Sequence, residues 1–532
     1  MSKLKEIYKN NLFLIWILFF GIFLRVYYLI RKSGDIFVAN LGGDPCYHYN
    51  VAYNISNGIG PKTSFIFSYW FYHPEIPAYT DLYGPGYALF LSYFLHINDN
   101  FFNLRIANFI IGILSILIAY FIGKKIHSKT LGLLSAFFIS INFFHIENST
   151  VVMREIFTLL LTQIFFLILI YLDNRKLLFF LIGLTIGYIS ITTGIWPIYI
   201  LILILYFIIK KNKFSFTYIL SFLFGFIITS GNWIIITKKY FGKFYYSNLD
   251  YYPYVSGWSK MMVDRGLPQI DNFWSSINLN EYLLNHFSWL LQNIYKGSLV
   301  LSPTFVFFLF FLLIPLCIYG AYKLKKIGFI LIFFLIIYFF GLSFASYGLS
   351  GNLWPRHFLP LQASISLLLA SGIIPIITFI NKKNKNITNY KIIFSLIFIS
   401  VFITATGIEY KTSYWEKDDS HFYEFGKKIQ EKTDETSVIM YSVAVPDVWC
   451  ATGRKVVHDI ARGGHNIKNR LNEEIEKYKV SHIFIDVSGE NYDYSSQKIE
   501  SALLSYKNTN LKKILENKEK GYFFYKILKN IE

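Results

Sequence analysis

Cysteine is almost missing from this chain. Cys46, Cys317 and Cys450 are the three in 532 residues, too few and too scattered for a disulfide framework or a thiolate metal site. Acidic residues are scarce too: 33 Asp and Glu stand against 51 Lys and Arg, a formal net charge of +18. In a soluble protein that surplus would point to nucleic acid. Here the basic residues sit in short clusters between apolar runs, a pattern that marks membrane topology, so no nucleic-acid partner is expected. Charged residues make up 16% of the chain, against 54% hydrophobic and 20% aromatic, with a mean hydropathy of +0.41. Lipid is the expected solvent.

A hydrocarbon core of about 30 Å needs about 20 apolar residues per helix. Runs of that kind recur near 11–30, 104–123, 130–146, 152–172, 177–191, 194–209, 214–236, 299–322, 327–346, 357–380 and 391–408. The spacing predicts a polytopic α-helical membrane protein of about eleven spans. The first run has basic residues before it, as a signal peptide would, but Arg31 and Lys32 follow where small cleavage-site residues belong, so it reads as a retained anchor. Lys and Arg cluster on alternate short loops: Lys3/Lys5/Lys9, Lys124/Lys125/Lys129, Arg175/Lys176, Lys210/Lys211/Lys213, Lys323/Lys325/Lys326 and Lys382/Lys383/Lys385/Lys391. Because basic loops stay cytoplasmic, the N-terminus is expected inside and the C-terminus outside. Cys317 falls within a span. Cys46 and Cys450 share the outer side, which permits a bridge, although the expectation is two free thiols.

Two long connections, 32–103 and 237–298, then lie outside. Both are rich in Tyr, Trp, Asp and Asn. Aromatic residues favour the headgroup level, so Gly84–His96 and Leu279–Tyr295 are expected as interfacial helices. After residue 408 charge rises and apolar runs shrink to strand length. The chain therefore divides into a membrane domain, 1–408, and a small α/β extracytoplasmic domain, 409–532. In the latter, 437–445, 455–460, 480–487 and 521–527 read as strands, and 420–432, 467–479 and 494–506 as helices. It contains no phosphate loop or nucleophile elbow, so support or substrate capture is expected of it.

The first outer loop opens with Leu41-Gly-Gly-Asp-Pro-Cys-Tyr-His-Tyr-Asn50. Asp44 stands just beyond the first span. As a structural residue it would cap a helix starting at Pro45. As a functional one it would be a partly desolvated carboxylate able to take a proton from an acceptor hydroxyl or to hold a metal, with His48 one helical turn along. Asp44, the Tyr47-His-Tyr-Asn50 stretch ending in Asn57-Gly-Ile-Gly60, and Tyr83-Gly-Pro-Gly-Tyr87 before an interfacial helix together resemble the C-type (GT-C) membrane glycosyltransferases. These take a sugar from a polyprenyl phosphate or pyrophosphate carrier. They include protein mannosyltransferases, aminoarabinose transferases and oligosaccharyltransferase catalytic subunits.

The resemblance covers residues 1–408 and implies that Asp44 is the catalytic acidic residue, as general base or metal ligand. It implies a second acidic residue at Glu147, in His145-Ile-Glu-Asn-Ser-Thr150, although that loop also reads as a solvated turn with a glycosylation sequon. Arg154 and Glu155 follow, close enough for an ion pair. In Asn352-Leu-Trp-Pro-Arg-His-Phe-Leu-Pro360, Arg356 followed by His357 and then Pro360 resembles the family's Arg-Tyr-x-x-Pro stretch, which implies that Arg356 binds the carrier phosphate; the plain alternative is snorkelling at a helix end. Tyr47, Tyr83, Tyr87, Arg154 and His357 join Arg356 and His48 as expected substrate-binding residues. The metal, Mg or Mn if present, would fall to Asp44, Glu147 and His48. The Trp-Trp-Asp-Tyr-Gly stretch of oligosaccharyltransferases has no match; Pro446-Asp-Val-Trp-Cys-Ala-Thr-Gly-Arg454 is the nearest text. Yet Asp44-Pro45-Cys-Tyr-His-Tyr49 resembles the archaeal members of that subgroup more than the mannosyltransferases.

The function expected is transfer of a sugar from a polyprenyl-phosphate donor to a protein, glycan or lipid acceptor at the outer face of the cell membrane. An oligosaccharyltransferase-like en bloc transfer is one alternative. A transporter or lipid flippase is another, but it predicts mid-span ionisable residues and two related halves, and no internal repeat is evident.

Overall fold

A computed structural model of the chain describes residues 2–31, 43–66, 73–171, 176–210, 215–245, 308–345, 355–383, 420–441, 445–458, 468–487 and 510–528. The described residues fall into two compact units. One holds 2–31, 102–245 and 308–383; the other holds 43–101 and 420–528.

The first unit is helical, because a backbone in lipid must satisfy its polar groups within its own segment. Its helices are α1 (Ser2–Arg31), α4 (Phe101–Ile126), α5 (Lys129–Ile141), α6 (Phe143–Asn148), α7 (Arg154–Ile170), α8 (Lys176–Ser190), α9 (Pro197–Lys210), α10 (Phe216–Phe241), α11 (Phe308–Ala345) and α12 (Gln362–Lys383), the last preceded by a 3-10 turn, Pro355–Leu361. Helices α2 (Asp44–Ser56) and α3 (Gly86–Leu95) belong to the other unit. A helix thus lies at each expected span up to 357–380, and the last, 391–408, lies outside the described residues. Among the described residues, Leu12–Ile30, Phe101–Ile126, Phe216–Phe241, Ile314–Leu342 and Arg356–Phe379 are long and apolar enough to cross a membrane.

The expected span 130–146 is instead broken. Ser128 starts α5, its hydroxyl accepting from Leu131 N at 3.2 Å, but Asn142 is extended, and its side chain accepts from His145 N at 3.0 Å to start α6. An Asn that can cap the next helix competes with continuing the first one. In α11 the helix is interrupted at Lys325, φ 53°, between the expected spans 299–322 and 327–346. Elsewhere small residues bring backbones together. A Cβ at Gly183 would collide with the Phe222 backbone, and one at Gly225 with the Phe180 backbone, so α8 and α10 touch along their main chains.

The second unit is built on a six-stranded sheet in the order β2-β5-β4-β6-β8-β7. The strands are β2 (Phe65–Ile66), β4 (Val438–Tyr441), β5 (Lys455–His458), β6 (His482–Asp486), β7 (Leu511–Asn517) and β8 (Tyr522–Ile527); β1 (Lys62–Thr63) pairs separately with β3 (Ala78–Tyr79). The first four in the sheet run parallel, and β8 and β7 close it as an antiparallel hairpin. Helix α13 (Ser420–Glu431) leads into β4, α14 (Val445–Thr452) lies between β4 and β5, and α15 (Lys468–Lys477) between β5 and β6. The core is aliphatic and aromatic: Ile66, Val438, Met440, Val457, Ile483, Ile485 and Phe523 are buried together.

Three sequence expectations change here. The strand expected over 437–445 ends at Tyr441, and α14 starts at Val445, because Pro446 cannot extend a ladder but fits a first helical turn. β7 was unanticipated; Lys512 and Lys513, on opposite faces, are both exposed, which suits an edge strand but blurs the alternation. The helix expected at 494–506 lies outside the described residues. Most consequentially, the first outer loop joins this sheet: Phe65 and Ile66 pair with Val456 and Val457 of β5.

Burial lowers the pKa of His458 from 6.5 to about 4 and, with Lys526 nearby, that of His482 from 6.5 to about 4. Both imidazoles are thus neutral in the fold, while the unfolded chain takes up protons below about pH 6.5. Stability of this unit is therefore full above pH 6.5 and falls as the pH drops through the window from 6.5 to 4. Protection factors of the β5 and β6 amides in the full-length protein, referred to the intrinsic exchange rate at each pH, should fall as the pH drops across that window. His458→Leu should flatten the dependence.

Candidate active site

Asp44 is the first residue of α2 (Asp44–Ser56). The residue before it, Gly43, is the cap, with φ 81°, and no side chain caps the helix, so the capping role weighed for Asp44 does not hold. Pro45 follows in the first turn, where its missing N–H costs nothing. The Tyr83 hydroxyl donates to Asp44 Oδ1 at 2.9 Å. His48 is one turn along, stacked on the Tyr83 ring at 5.1 Å and edge-on to Tyr87 at 4.9 Å. Tyr47 packs edge-on against Tyr83, with its hydroxyl bonded to Thr80 Oγ1. Burial, with Asp81 nearby, pushes the Tyr47 phenol well above its usual range. Tyr47 and Tyr87 are fully buried, as bracing under Asp44 and His48. Asp44, His48, Tyr47, Tyr83 and Tyr87 thus come together, with α3 (Gly86–Leu95) at the place expected for an interfacial helix.

In the helical unit, Glu147 sits near the end of α6, where its Oε1 accepts from the Tyr28 hydroxyl at 3.2 Å. Next to it lies a network that the sequence reading missed. Arg25, fully buried in α1, donates from Nη1 to Gly21 O at 2.7 Å and Ser140 O at 3.1 Å, and its Nη2 lies 2.5 Å from His145 Nδ1. Arg105 Nε donates to Thr150 O at 2.9 Å, and Asn108 Nδ2 donates to the carbonyls of Val151 and Met153. These side chains satisfy the carbonyls freed where α5 breaks and α6 ends. A signal existed in the sequence: an arginine inside an apolar run seldom faces lipid. The same burial answers the sequon alternative. Asn148, Ser149 and Thr150 are packed inside and cannot present a glycosylation site.

Arg154 donates to Thr192 O at 3.3 Å, while Glu155 Oε1 lies 3.1 Å from His357 Nδ1 and 3.7 Å from Arg356 Nε. All three members of that cluster are largely buried, so Arg356 does not snorkel. Glu155 and Arg356 thus clamp the start of α7 to the turn before α12.

Asp44 and His48 belong to one compact unit, and Glu147, Arg154, Arg356 and His357 to the other. Among the described residues, no three His, Cys, Asp or Glu side chains gather as a metal site would require. His48 is engaged by two aromatic rings. Among the described residues, Asp44, Glu147 and His48 are not gathered as the expected metal set.

No protein-family model matches the chain, and no curated protein sequence does. Solved structures do match. One is the oligosaccharyltransferase AglB of Archaeoglobus fulgidus in complex with an inhibitory peptide and a dolichol-phosphate, at TM-score 0.55 and 15% identity, covering 99% of this chain and 75% of that one. The same enzyme in complex with Zn and sulfate aligns at TM-score 0.56 and 14% identity, covering 96% and 72%. ArnT of Cupriavidus metallidurans, bound to undecaprenyl phosphate, aligns at TM-score 0.59 and 9% identity, covering 97% and 98%. The chain therefore has the GT-C fold of polytopic membrane glycosyltransferases, as its motifs suggested.

Arg25→Met should lower the unfolding temperature of the purified protein in detergent, because it strands Ser140 O and His145 without a donor, each buried polar group left unpaired costing about 1–3 kcal/mol. Arg25→Lys should not restore it. A single ammonium cannot fork between two carbonyls and an imidazole.

Proposed function

We propose that this protein is a glycosyltransferase that moves a sugar from a polyprenyl-phosphate carrier to a hydroxyl on a protein, glycan or lipid at the outer membrane face. The observation that carries this reading is the GT-C fold, aligned over nearly the whole chain with AglB and ArnT, in a chain whose first outer loop starts a helix at Asp44. The AglB complex holds dolichol-phosphate and the ArnT complex undecaprenyl phosphate. Both point to a lipid-linked phosphate as the donor class here.

In this reading Asp44 is the general base. It takes the acceptor hydroxyl proton as the acceptor oxygen bonds to the anomeric carbon, the bond from that carbon to the phosphate oxygen breaks, and polyprenyl phosphate leaves with inversion. The Tyr83 hydroxyl, donating to Asp44, fixes the carboxylate's direction. Arg356, with His357, meets the phosphate charge, the guanidinium matching its oxygens in pairs. Glu147, held by Tyr28, is the second acidic residue of the site, and Arg154 and His48 complete the substrate-binding set. The N-terminus lies inside the cell and the 409–532 segment outside.

A second reading, en bloc transfer of an oligosaccharide, is favoured by the alignment with AglB over 99% of this chain. The two are separated with purified protein in nanodiscs supplied with either monosaccharide-polyprenyl-phosphate or oligosaccharide-polyprenyl-pyrophosphate. Turnover of the first class supports the proposal; turnover of the second alone replaces it. Asp44→Asn should reduce kcat by about 10²–10⁴ with little change in donor KM. An unchanged kcat would falsify the base assignment.

A further inference from the structure

We infer that helix α14 is a positioning element for Asp44, so that turnover depends on a segment of the C-terminal domain fastened directly behind the carboxylate. The inference rests on the reading of Asp44 as the base. Cys46, two residues beyond Asp44, is disulfide-bonded to Cys450 of α14, with a Cα–Cα distance of 5.9 Å and a sequence separation of 404. This overturns the expectation of two free thiols: pairing needs proximity, and the fold supplies it.

The disulfide is one of three attachments along the same pair of helix faces. Pro446 lies against Gly43, its ring carbons 3.4–3.6 Å from where a Cβ would stand. Trp449 packs edge-on against Tyr49 at 5.4 Å and against Tyr53 at 5.9 Å. On α14 the contacting residues 446, 449 and 450 fall at i, i+3 and i+4, and on α2 residues 46, 49 and 53 fall at i, i+3 and i+7, each set one helical stripe. Asp44 and His48, at i and i+4, form a separate stripe, the one that meets Tyr83. One side of α2 is therefore bolted to α14 while the other presents the carboxylate.

α14 is itself immobilised, because it joins adjacent parallel strands β4 and β5, and β5 also holds β2 of the first outer loop. Gly43 completes the device. Its left-handed φ of 81° aims the first turn, and a side chain there would be strained by that backbone conformation, while meeting Pro446 at ordinary contact distance. Placement matters at this scale, since a shift of about 1 Å in a reacting group can cost about 10²-fold in rate.

The test compares three full-length variants in nanodiscs. Cys46→Ser/Cys450→Ser should lower kcat about tenfold or more with donor KM nearly unchanged, displace the acid limb of the kcat–pH profile, and speed hydrogen exchange of the Tyr47–Val51 amides about tenfold. Wild-type kcat and exchange in that variant, with Asp44→Asn inactive, would overturn the inference and leave the base assignment standing. Full turnover by Asp44→Asn would remove both. Should the double variant fail to accumulate, Trp449→Ala keeps the disulfide and loosens the packing of α14 on Tyr49 and Tyr53. It should lower kcat in the same direction, and wild-type kcat there also refutes the role of α14.

Discussion

One constraint governs the rest: residues 43–101 and residues 420–528 share a sheet, a core and a disulfide. Phe65–Ile66 runs beside β5, Ile66 and Ala78 sit in the core of the C-terminal sheet, the Tyr478 hydroxyl donates to His73 O at 2.9 Å, and Cys46 is bonded to Cys450. Segments tied in this way lie on one side of a membrane. The chain between residue 101 and residue 420 must therefore cross the bilayer an even number of times. Among the described residues, Phe101–Ile126, Phe216–Phe241, Ile314–Leu342 and Arg356–Phe379 in that stretch are long and apolar enough to cross a membrane.

The helical unit meets a different demand. It must keep broken backbone in its interior without orphaned carbonyls, and it does so with long cationic and amide side chains. Arg25 reaches across to the end of α5, and Arg105 and Asn108 reach to residues 150–153. Breaking α5 at Asn142 costs helical hydrogen bonds, and it frees α6 to set Glu147 against Tyr28. The Glu155–His357–Arg356 cluster makes a second internal tie, at the start of α7. Structural bonds and expected chemistry thus share the same few turns, which is common where a site is built from helix breaks.

What the sequence made legible follows from range. Helix positions came through because apolar runs report lipid burial locally, and α3 fell within two residues of its expected start. Asp44 stood out for its place just after a span. β2 could not be foreseen: two residues give no periodicity, and its partner lies almost 400 positions away. The Cys46–Cys450 pair was equally silent, because two lone cysteines carry no spacing signal. Arg25 was overlooked because one charge disappears into the mean of a strongly apolar window, although its chemistry demanded an interior partner. The α/β reading after residue 408 rested on short apolar runs, which mark strands well and edges poorly; hence β7 was missed.

In the proposed threading the Asp44 loop and the C-terminal domain face the outside together. Labelling of single cysteines, in a Cys317→Ser background, with a membrane-impermeant maleimide on intact cells reads this out. Asn57, Lys432 and His127 are exposed positions suited to the substitution. Asn57→Cys and Lys432→Cys should label without permeabilisation, and His127→Cys only after it. Labelling of residues 57 and 432 from opposite sides, or of 127 from outside, would contradict the threading and with it the proposed site.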